Sequence, residues 1–335
     1  DLTAAVLERS GAPLAVVCLR PVMVPDLAGE VTATVLARLA RELRAADSRP
    51  GAVRVRSTPP LIELAGPPDG FGELIEQLTT AYDAVTTDAS PVASVGADAR
   101  RRALDLMAGV LGITEEGDPS PATLLRPGNL ALGVVAPDAE AAAEALGKFW
   151  RLEPGVSHAT DIQSVPMVLR TRAAAPGDTS VVVAALTTSF GGDEAVRSVA
   201  RELLAERARV VWPGAETELL APFVPGRSLL LLVVRAEATV EEVEDLVTAG
   251  WGKLTAGGGE DELSPIRRRV AAAASAEMSG VAGHARRSAA VAAGASAWHQ
   301  PAELELEILT VEEGLVTAIL EGFGDFDAAT TTGAG

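Results

Sequence analysis

A single unit, a short apolar strand followed by a tight turn and an amphipathic helix, recurs along this 335-residue chain and limits what it can fold into. Its clearest copy runs from Arg126 to Trp150. There the apolar stretch Asn129 to Val135 turns at Pro137-Asp138 and enters a helix whose apolar positions are Ala139, Ala142, Ala143, Leu146 and Trp150. A second copy follows a hundred residues later: Leu229 to Val234, a cap at Thr239, then Val240, Val243, Leu246, Val247 and Trp251. An earlier one has Leu61 to Leu64, the turn Pro67-Pro68-Asp69-Gly70, then Leu74, Leu78, Ala81, Tyr82 and Val85. Continuous apolar runs suit strands buried on both faces, and the i, i+3, i+4, i+7 spacing suits helices packed on a sheet. Recurrence of one such module is the mark of duplication.

Between the copies the chain alternates in the same way. Val6 to Arg20 reads as a hairpin or long strand broken at Ser10-Gly11, and 31–44 as a helix burying Val31, Val35, Leu36, Leu39 and Leu43. Val53 to Leu64 is extended, and Asp98 to Leu111 is helical. Glu153 to Ser164, with Pro154-Gly155, is aperiodic and reads as the linker between two domains, 1–155 and 165–325. Beyond it come a strand Ser180 to Leu186, a helix Glu194 to Glu206 and a strand-like Arg209 to Trp212. A GGGEDE loop precedes an Ala-rich helix from Ser264 or Pro265 to about Ala293. Thr310 is expected to cap a last helix, and the tail from Asp325 to fray.

Charge narrows the partners. Lys and Arg number 28 against 46 Asp and Glu, a net charge of -18, which repels phosphate backbones and anionic membranes. The longest strongly apolar run, Leu229 to Val234, is far short of the roughly 20 residues that span a bilayer. The one cysteine, Cys18, allows no internal disulfide and reads as a small buried hydrophobe. With no charged-then-apolar leader at Asp1, the expectation is a soluble, cytoplasmic protein.

The order of elements, with the stretches RPGNLALGVVAPDAEAAAEALGKFW, LLLLVVRAEATVEEVEDL and LTVEEGLVTAIL, resembles the insulinase-type zinc metallopeptidases, which include pitrilysin and the mitochondrial processing peptidase. Arg126, Pro127, Gly128 and Asn129 match the family's Arg-Pro-(Glu/Gly)-Asn strand entrance, and Thr310, Glu312 and Glu313 its Thr-x-Glu-(Asp/Glu) helix start. The resemblance implies an α+β fold of two similar domains, each an antiparallel sheet backed by helices, forming half of a clamshell.

The family's chemistry needs a histidine-x-x-glutamate-histidine helix, which sets two imidazoles on one face to hold zinc and a glutamate beside them as general base. By position that helix is 31–44, and it contains no histidine; the chain has only His158, His284 and His299. In paired family members the second subunit supplies an arginine and a tyrosine from a Glu-Leu-Arg-x-x-x-Gly-x-x-Tyr segment. The nearest segment here, Glu202 to Val211, has Leu204 and Val211 at those places, and the one tyrosine is Tyr82. The resemblance with these departures implies a non-catalytic subunit that encloses a peptide with a zinc-bearing, catalytic insulinase-type partner. No catalytic, cofactor-binding or metal residue is assigned to this chain, and zinc is expected in the partner. The composition, rich in Ala, Gly, Val, Arg and Pro, looks like that of a high-GC bacterial genome, where paired peptidases of this type can trim modified peptides. The alternatives are a peptide-binding or scaffold protein that has left proteolysis, and an unrelated enzyme built on a parallel sheet.

Other candidate residues carry bland readings. His158 with Asp161 has ligand-like spacing but falls in the expected linker. His299 is separated from Glu303 by Pro301, and His284 precedes Arg286-Arg287; both read as solvated or hydrogen-bonded near helix ends. Ser189-Phe190-Gly191-Gly192 lacks the Lys-Ser/Thr of a phosphate loop and reads as a turn. Arg100 to Arg102 and Arg267 to Arg269 are spread around their helices as solvated faces.

Overall fold

A computed structural model describes residues 3–12, 14–21, 30–46, 53–57, 60–87, 92, 98–111, 120–125, 129–149, 168–174, 179–188, 194–221, 223–224, 227–293, 301–324 and 330–334. The first half contains β1 (Thr3–Glu8), β2 (Ala15–Pro21), α1 (Glu30–Ala46), β3 (Val53–Ser57), β4 (Pro60–Gly66), α2 (Phe71–Thr86), α3 (Ala99–Val110), α4 (Pro121–Leu124), β5 (Leu130–Ala136) and α5 (Ala139–Phe149). The second contains β6 (Val168–Ala174), β7 (Thr179–Thr188), α6 (Glu194–Val211), β8 (Glu216–Leu220), β9 (Phe223–Val224), β10 (Arg227–Glu237), α7 (Val240–Leu254), α8 (Glu260–Met278), α9 (Val281–Ala292), α10 (Pro301–Leu309), α11 (Glu313–Glu321) and β11 (Thr330–Ala334).

The strands form two sheets, in the orders β1-β5-β2-β4-β3 and β11-β6-β7-β10-β8. Pairing is antiparallel except at one edge of each, where β1 runs parallel to β5 and β11 parallel to β6. This is the expected α+β, two-sheet architecture, and its antiparallel cores exclude the wholly parallel alternative.

Duplication is visible in the order of elements: β2-α1-β3-β4-α2 recurs as β7-α6-β8-β10-α7. The buried faces match position for position, Leu74, Leu78, Ala81, Tyr82 and Val85 of α2 standing where α7 has Val243, Val247, Gly250, Trp251 and Leu254. Even the polar handles agree. The Tyr82 hydroxyl donates to the Leu125 carbonyl, and Trp251 Nε1 donates to the Gly324 carbonyl at 3.0 Å, so each ring ties its helix to the segment after a later short helix. The copy at 129–149 is a different piece: β5 inserts between β1 and β2, so the expected hairpin of residues 6–20 does not form. β2 instead pairs antiparallel with β5 and β4. The chain still reverses at Ser10-Gly11, where Gly11 takes φ +76°, a conformation that favours glycine.

Both sheets are covered on two faces, and one cover comes from the other half of the chain. The first sheet packs α1 and α2 on one side, with Val17, Leu19, Leu64 and Val134 meeting Leu36, Leu39 and Leu78. On its far side lies α9, whose Ala285 and Ala289 meet Val16, Cys18, Leu61 and Val135. The second sheet packs α6 and α7 on one face, and α3 on the other, where Ala103, Leu104 and Met107 meet Leu229, Leu231 and Val233. Thr171 Oγ1 donates to the Ala103 carbonyl at 2.7 Å across that contact. Close approach of α9 depends on Gly133 of β5: a Cβ there would stand 1.9 Å from the Ala285 carbonyl oxygen.

Several expectations are corrected. Arg209 to Val211 continue α6, because Trp212 extends the buried stripe of Leu204 and Ala208 and donates from Nε1 to the Leu246 carbonyl at 2.9 Å. Gly250 leaves room for that indole, which would lie 2.3 Å from a Cβ. Glu260 to Glu262 open α8 instead of forming a loop, since carboxylates at a helix N-terminus face its positive end. The Ala-rich helix is two helices, parted at Ser279-Gly280, where Gly283 avoids a clash with the Glu277 carbonyl. Thr310 belongs to the end of α10, its hydroxyl donating to the Leu306 carbonyl at 2.8 Å, while α11 begins after Glu312. Residues 330–334 of the tail form β11 on the parallel edge of the second sheet. Ala143 is exposed, not on the buried face of α5. Strands β6 and β8 and helix α10 carry no period strong enough to be read from sequence. The expected linker, the Ser189 to Gly192 turn, Arg126 to Gly128 and Trp150 lie outside the described residues.

Candidate functional site

Helix α1 is where a zinc pair would stand in the insulinase-type arrangement. Its outer positions carry Thr34, Ala37, Arg38 and Arg41, and the Thr34 hydroxyl donates back to the Glu30 carbonyl at 2.8 Å. None of these is a zinc ligand. Among the described residues no group of three or more His, Cys, Asp or Glu side chains could hold a metal ion. The residues present do not fit zinc on this helix.

The second-half positions are equally unsuited to catalysis. Leu204, at the arginine place, is 1% exposed inside the core, and Val211 packs against that core. The neighbouring Arg207 is engaged elsewhere: its Nε and Nη2 donate to Glu262 at 2.8 and 2.6 Å, and its Nη1 to the Leu254 carbonyl at 3.0 Å, tying α6 to the end of α7 and the start of α8. Tyr82 is held in the first half, where burial, then Asp83, pushes its hydroxyl up to about 12. Cys18 is fully buried, and burial, then Glu63, pushes its thiol up to about 12, which leaves it inert.

A cleft of about 1190 Å³ lies between the halves. One wall is the first sheet, with Arg20 of β2, Arg56 of β3 and Leu61 of β4. The other is built from α6, β8, α8, α9 and α10. Its lining carries seven arginines (20, 56, 201, 209, 269, 286 and 287) against four glutamates (194, 202, 218 and 277), in a chain of net charge -18. Helix α9 joins the walls: Arg286 Nη1 donates to the buried Glu63 of β4 at 2.6 Å, and Arg287 donates to both oxygens of Glu194 at 2.5 and 2.8 Å. Arg56 lies 3.5 Å from the same Glu63 oxygen, and Arg269 Nε donates to Glu202 at 3.2 Å. Burial lowers the pKa of Arg20, against the pull of Glu194 and Glu277.

The arginine triplets of the sequence divide. Arg100 is a clasp between halves, donating to Glu30 at 2.8 Å and to both oxygens of Glu218 at 2.8 and 3.0 Å. Arg101 pairs along its own helix with Asp105 at 2.9 Å. Arg267 is nearly buried and pairs with Glu260 at 2.7 Å, Arg268 is exposed, and Arg269 faces the cleft. His284 is half-buried in the first turn of α9, with its pKa lowered by burial and then by Arg9. His158, Asp161 and His299 lie outside the described residues, and Glu303 stands in α10. The cleft arginines come from β2, β3, α6, α8 and α9, so no linear spacing announces them.

No protein-family model matches the sequence, and no curated protein matches it. Solved structures do. A protease from Helicobacter pylori superposes with a TM-score of 0.60 at 10% identity, over 96% of this chain and 94% of its own. A chain of Complex III2 from Candida albicans, Inz-5 bound, gives 0.55 at 12%, over 96% and 90%. An M16-like peptidase from Alicyclobacillus acidocaldarius gives 0.50 at 11%, over 96% and 92%. The fold is that of the M16-like peptidases. At such identities the likeness speaks for backbone architecture and not for chemistry. Within the M16-like fold, α1 of this chain keeps a buried face of Val31, Val35, Leu36 and Leu39 and has no imidazole on its outer one.

Proposed function

We propose that this chain is a non-catalytic subunit that closes on a zinc-bearing, insulinase-type partner to enclose a peptide for processing. One observation carries the reading: the M16-like fold covers 96% of the chain, while α1 has no histidine where the zinc ligands would be needed. Its role would be shape and enclosure, since Leu204 is buried and no arginine-tyrosine pair is offered from α6. One of the structural neighbours is itself a chain of a multi-subunit assembly, Complex III2, which is compatible with an M16-like chain working among partners. The cytoplasm is the compartment proposed for a chain whose single cysteine is a buried thiol.

The test is reconstitution with a homologue that carries the histidine-x-x-glutamate-histidine helix. Light scattering of the mixture should give a one-to-one complex, and zinc-dependent peptide cleavage should require both chains. Zinc-dependent cleavage by this chain alone, or no association with such a homologue, overturns the reading. A second reading, a peptide-binding protein that takes no part in proteolysis, is favoured by the fact that the cleft is formed within one chain. It is supported instead if peptide binding persists without any partner and the mixture shows no cleavage.

A further inference from the structure

We infer that the cleft between the two halves is a docking site for an acidic peptide segment. The inference rests on the preceding reading only in that both give the chain a peptide to hold; it adds the chemical class of that peptide.

The first argument is sign. Acidic side chains outnumber basic ones across the molecule, yet the cleft lining reverses the balance, with seven arginines to four glutamates. Low-dielectric walls focus such a field toward whatever enters. Arginine is also the side chain whose fork matches a carboxylate, two N–H groups to two oxygens. The second argument is vacancy of charge. Arg286, Arg287 and Arg269 have carboxylate partners, but Arg201 and Arg209, exposed about two turns apart on α6, make no ion pair among the described residues. They stand on the cleft side of the helix with nothing of their own to neutralise.

The third argument is size and texture. About 1190 Å³ exceeds the roughly 300–1,000 Å³ of pockets that hold drug-sized ligands, so a bare oxyanion would leave most of it empty. Between the arginines the accessible lining is aliphatic, with Ala205, Leu219, Val270, Ala273, Ala274 and Ala276, over a floor of buried Leu61, Leu232 and Ile308. Alternating guanidinium and aliphatic contacts suit a chain of acidic and apolar side chains. Edge strand β8 supplies Thr217, Glu218 and Leu219 to the same wall.

Fluorescence anisotropy with the full chain tests this. The probes are a short labelled peptide rich in Glu and Leu, its Gln counterpart and its Lys counterpart, with inorganic phosphate as competitor. The acidic peptide should bind at least about tenfold tighter than the Gln peptide and weaken as salt is added. Reversing both free charges, R201E with R209E, should cost at least about tenfold, whereas K253E on exposed α7 should change nothing. R201Q with R209Q, which alters the fold less, should lower affinity in the same direction. Equal binding of acidic and Gln peptides, undiminished affinity in both double variants, or displacement by phosphate as effective as by unlabelled acidic peptide overturns the inference. Acidic-peptide binding without association to a zinc-bearing homologue would sink the subunit reading and leave this one standing; association without acidic preference would do the reverse.

Discussion

Tyr82 and Trp251 show how single side chains secure each half. Both are aromatic, occupy matching helix positions and spend their polar atom on a backbone carbonyl far along the chain, Leu125 and Gly324. Removing only the hydroxyl with Tyr82→Phe leaves the Leu125 carbonyl without that donor, and urea unfolding should show a loss of about 1–2 kcal/mol. Trp251→Phe also opens space in the second core, so its cost should be larger, about 2–4 kcal/mol. His284 supplies a pH effect. Burial holds its folded pKa below the ordinary 6.5, so the unfolded chain takes up the proton first. Stability from this group is therefore whole above pH 6.5 and declines as the pH falls below it. Melting temperature should fall more steeply between pH 7 and 5 (roughly the range of histidine titration) in the wild type than in His284→Gln, and equal slopes would refute the assignment.

At the scale of elements, the decisive contact is α9 on the first sheet. Gly133 sits beneath Ala285 and Ala289 with no space for a side chain. Gly133→Val should therefore cost at least about 3 kcal/mol in unfolding free energy or prevent α9 from docking. Gly147 in α5 is the contrast, with nothing within 4 Å of an added Cβ; Gly147→Ala should stabilise by about 0.5–1 kcal/mol. Differential scanning calorimetry of both variants checks the pair, and a well-folded Gly133→Val protein would mean that α9 does not lie where it is described. Helix α7 was the most legible element: Thr239 and Glu242 form the reciprocal capping box that the motif announces, Glu242 Oε2 accepting from the Thr239 amide at 2.9 Å. Helix α8 was less so, because Pro265 reads as a helix start and lies inside the helix.

For the whole molecule, the exchange of α3 and α9 makes each half the other's missing cover. A fragment ending at residue 155 has no α9 over Val16, Cys18 and Val135, and one beginning at 165 has no α3 over Leu229, Leu231 and Val233. Each would expose a continuous apolar sheet face, which monomeric soluble proteins rarely do. Expressed singly, fragments 1–155 and 165–335 should lack cooperative unfolding and bind a hydrophobic dye; mixed, they should regain a single transition. A single fragment that melts cooperatively by itself would show that the borrowed helix is dispensable. The same exchange brings Arg20 and Arg56 opposite Arg201 and Arg209, so the cleft exists only once both halves are assembled.

Residue order alone determined that strand-turn-helix units repeat, that helix 31–44 presents one apolar face, and that this helix has no histidine to offer a metal. These are local properties, set by the periodicity of a few neighbouring side chains and by which residue types are present at all. Tertiary structure alone decided that 129–149 inserts a strand between β1 and β2, that α3 and α9 cross to the opposite sheets, and that seven arginines from five elements line one cleft. Strand order and helix exchange depend on which apolar faces find each other across a hundred residues or more. In sequence, a buried strand looks the same whichever helix covers it.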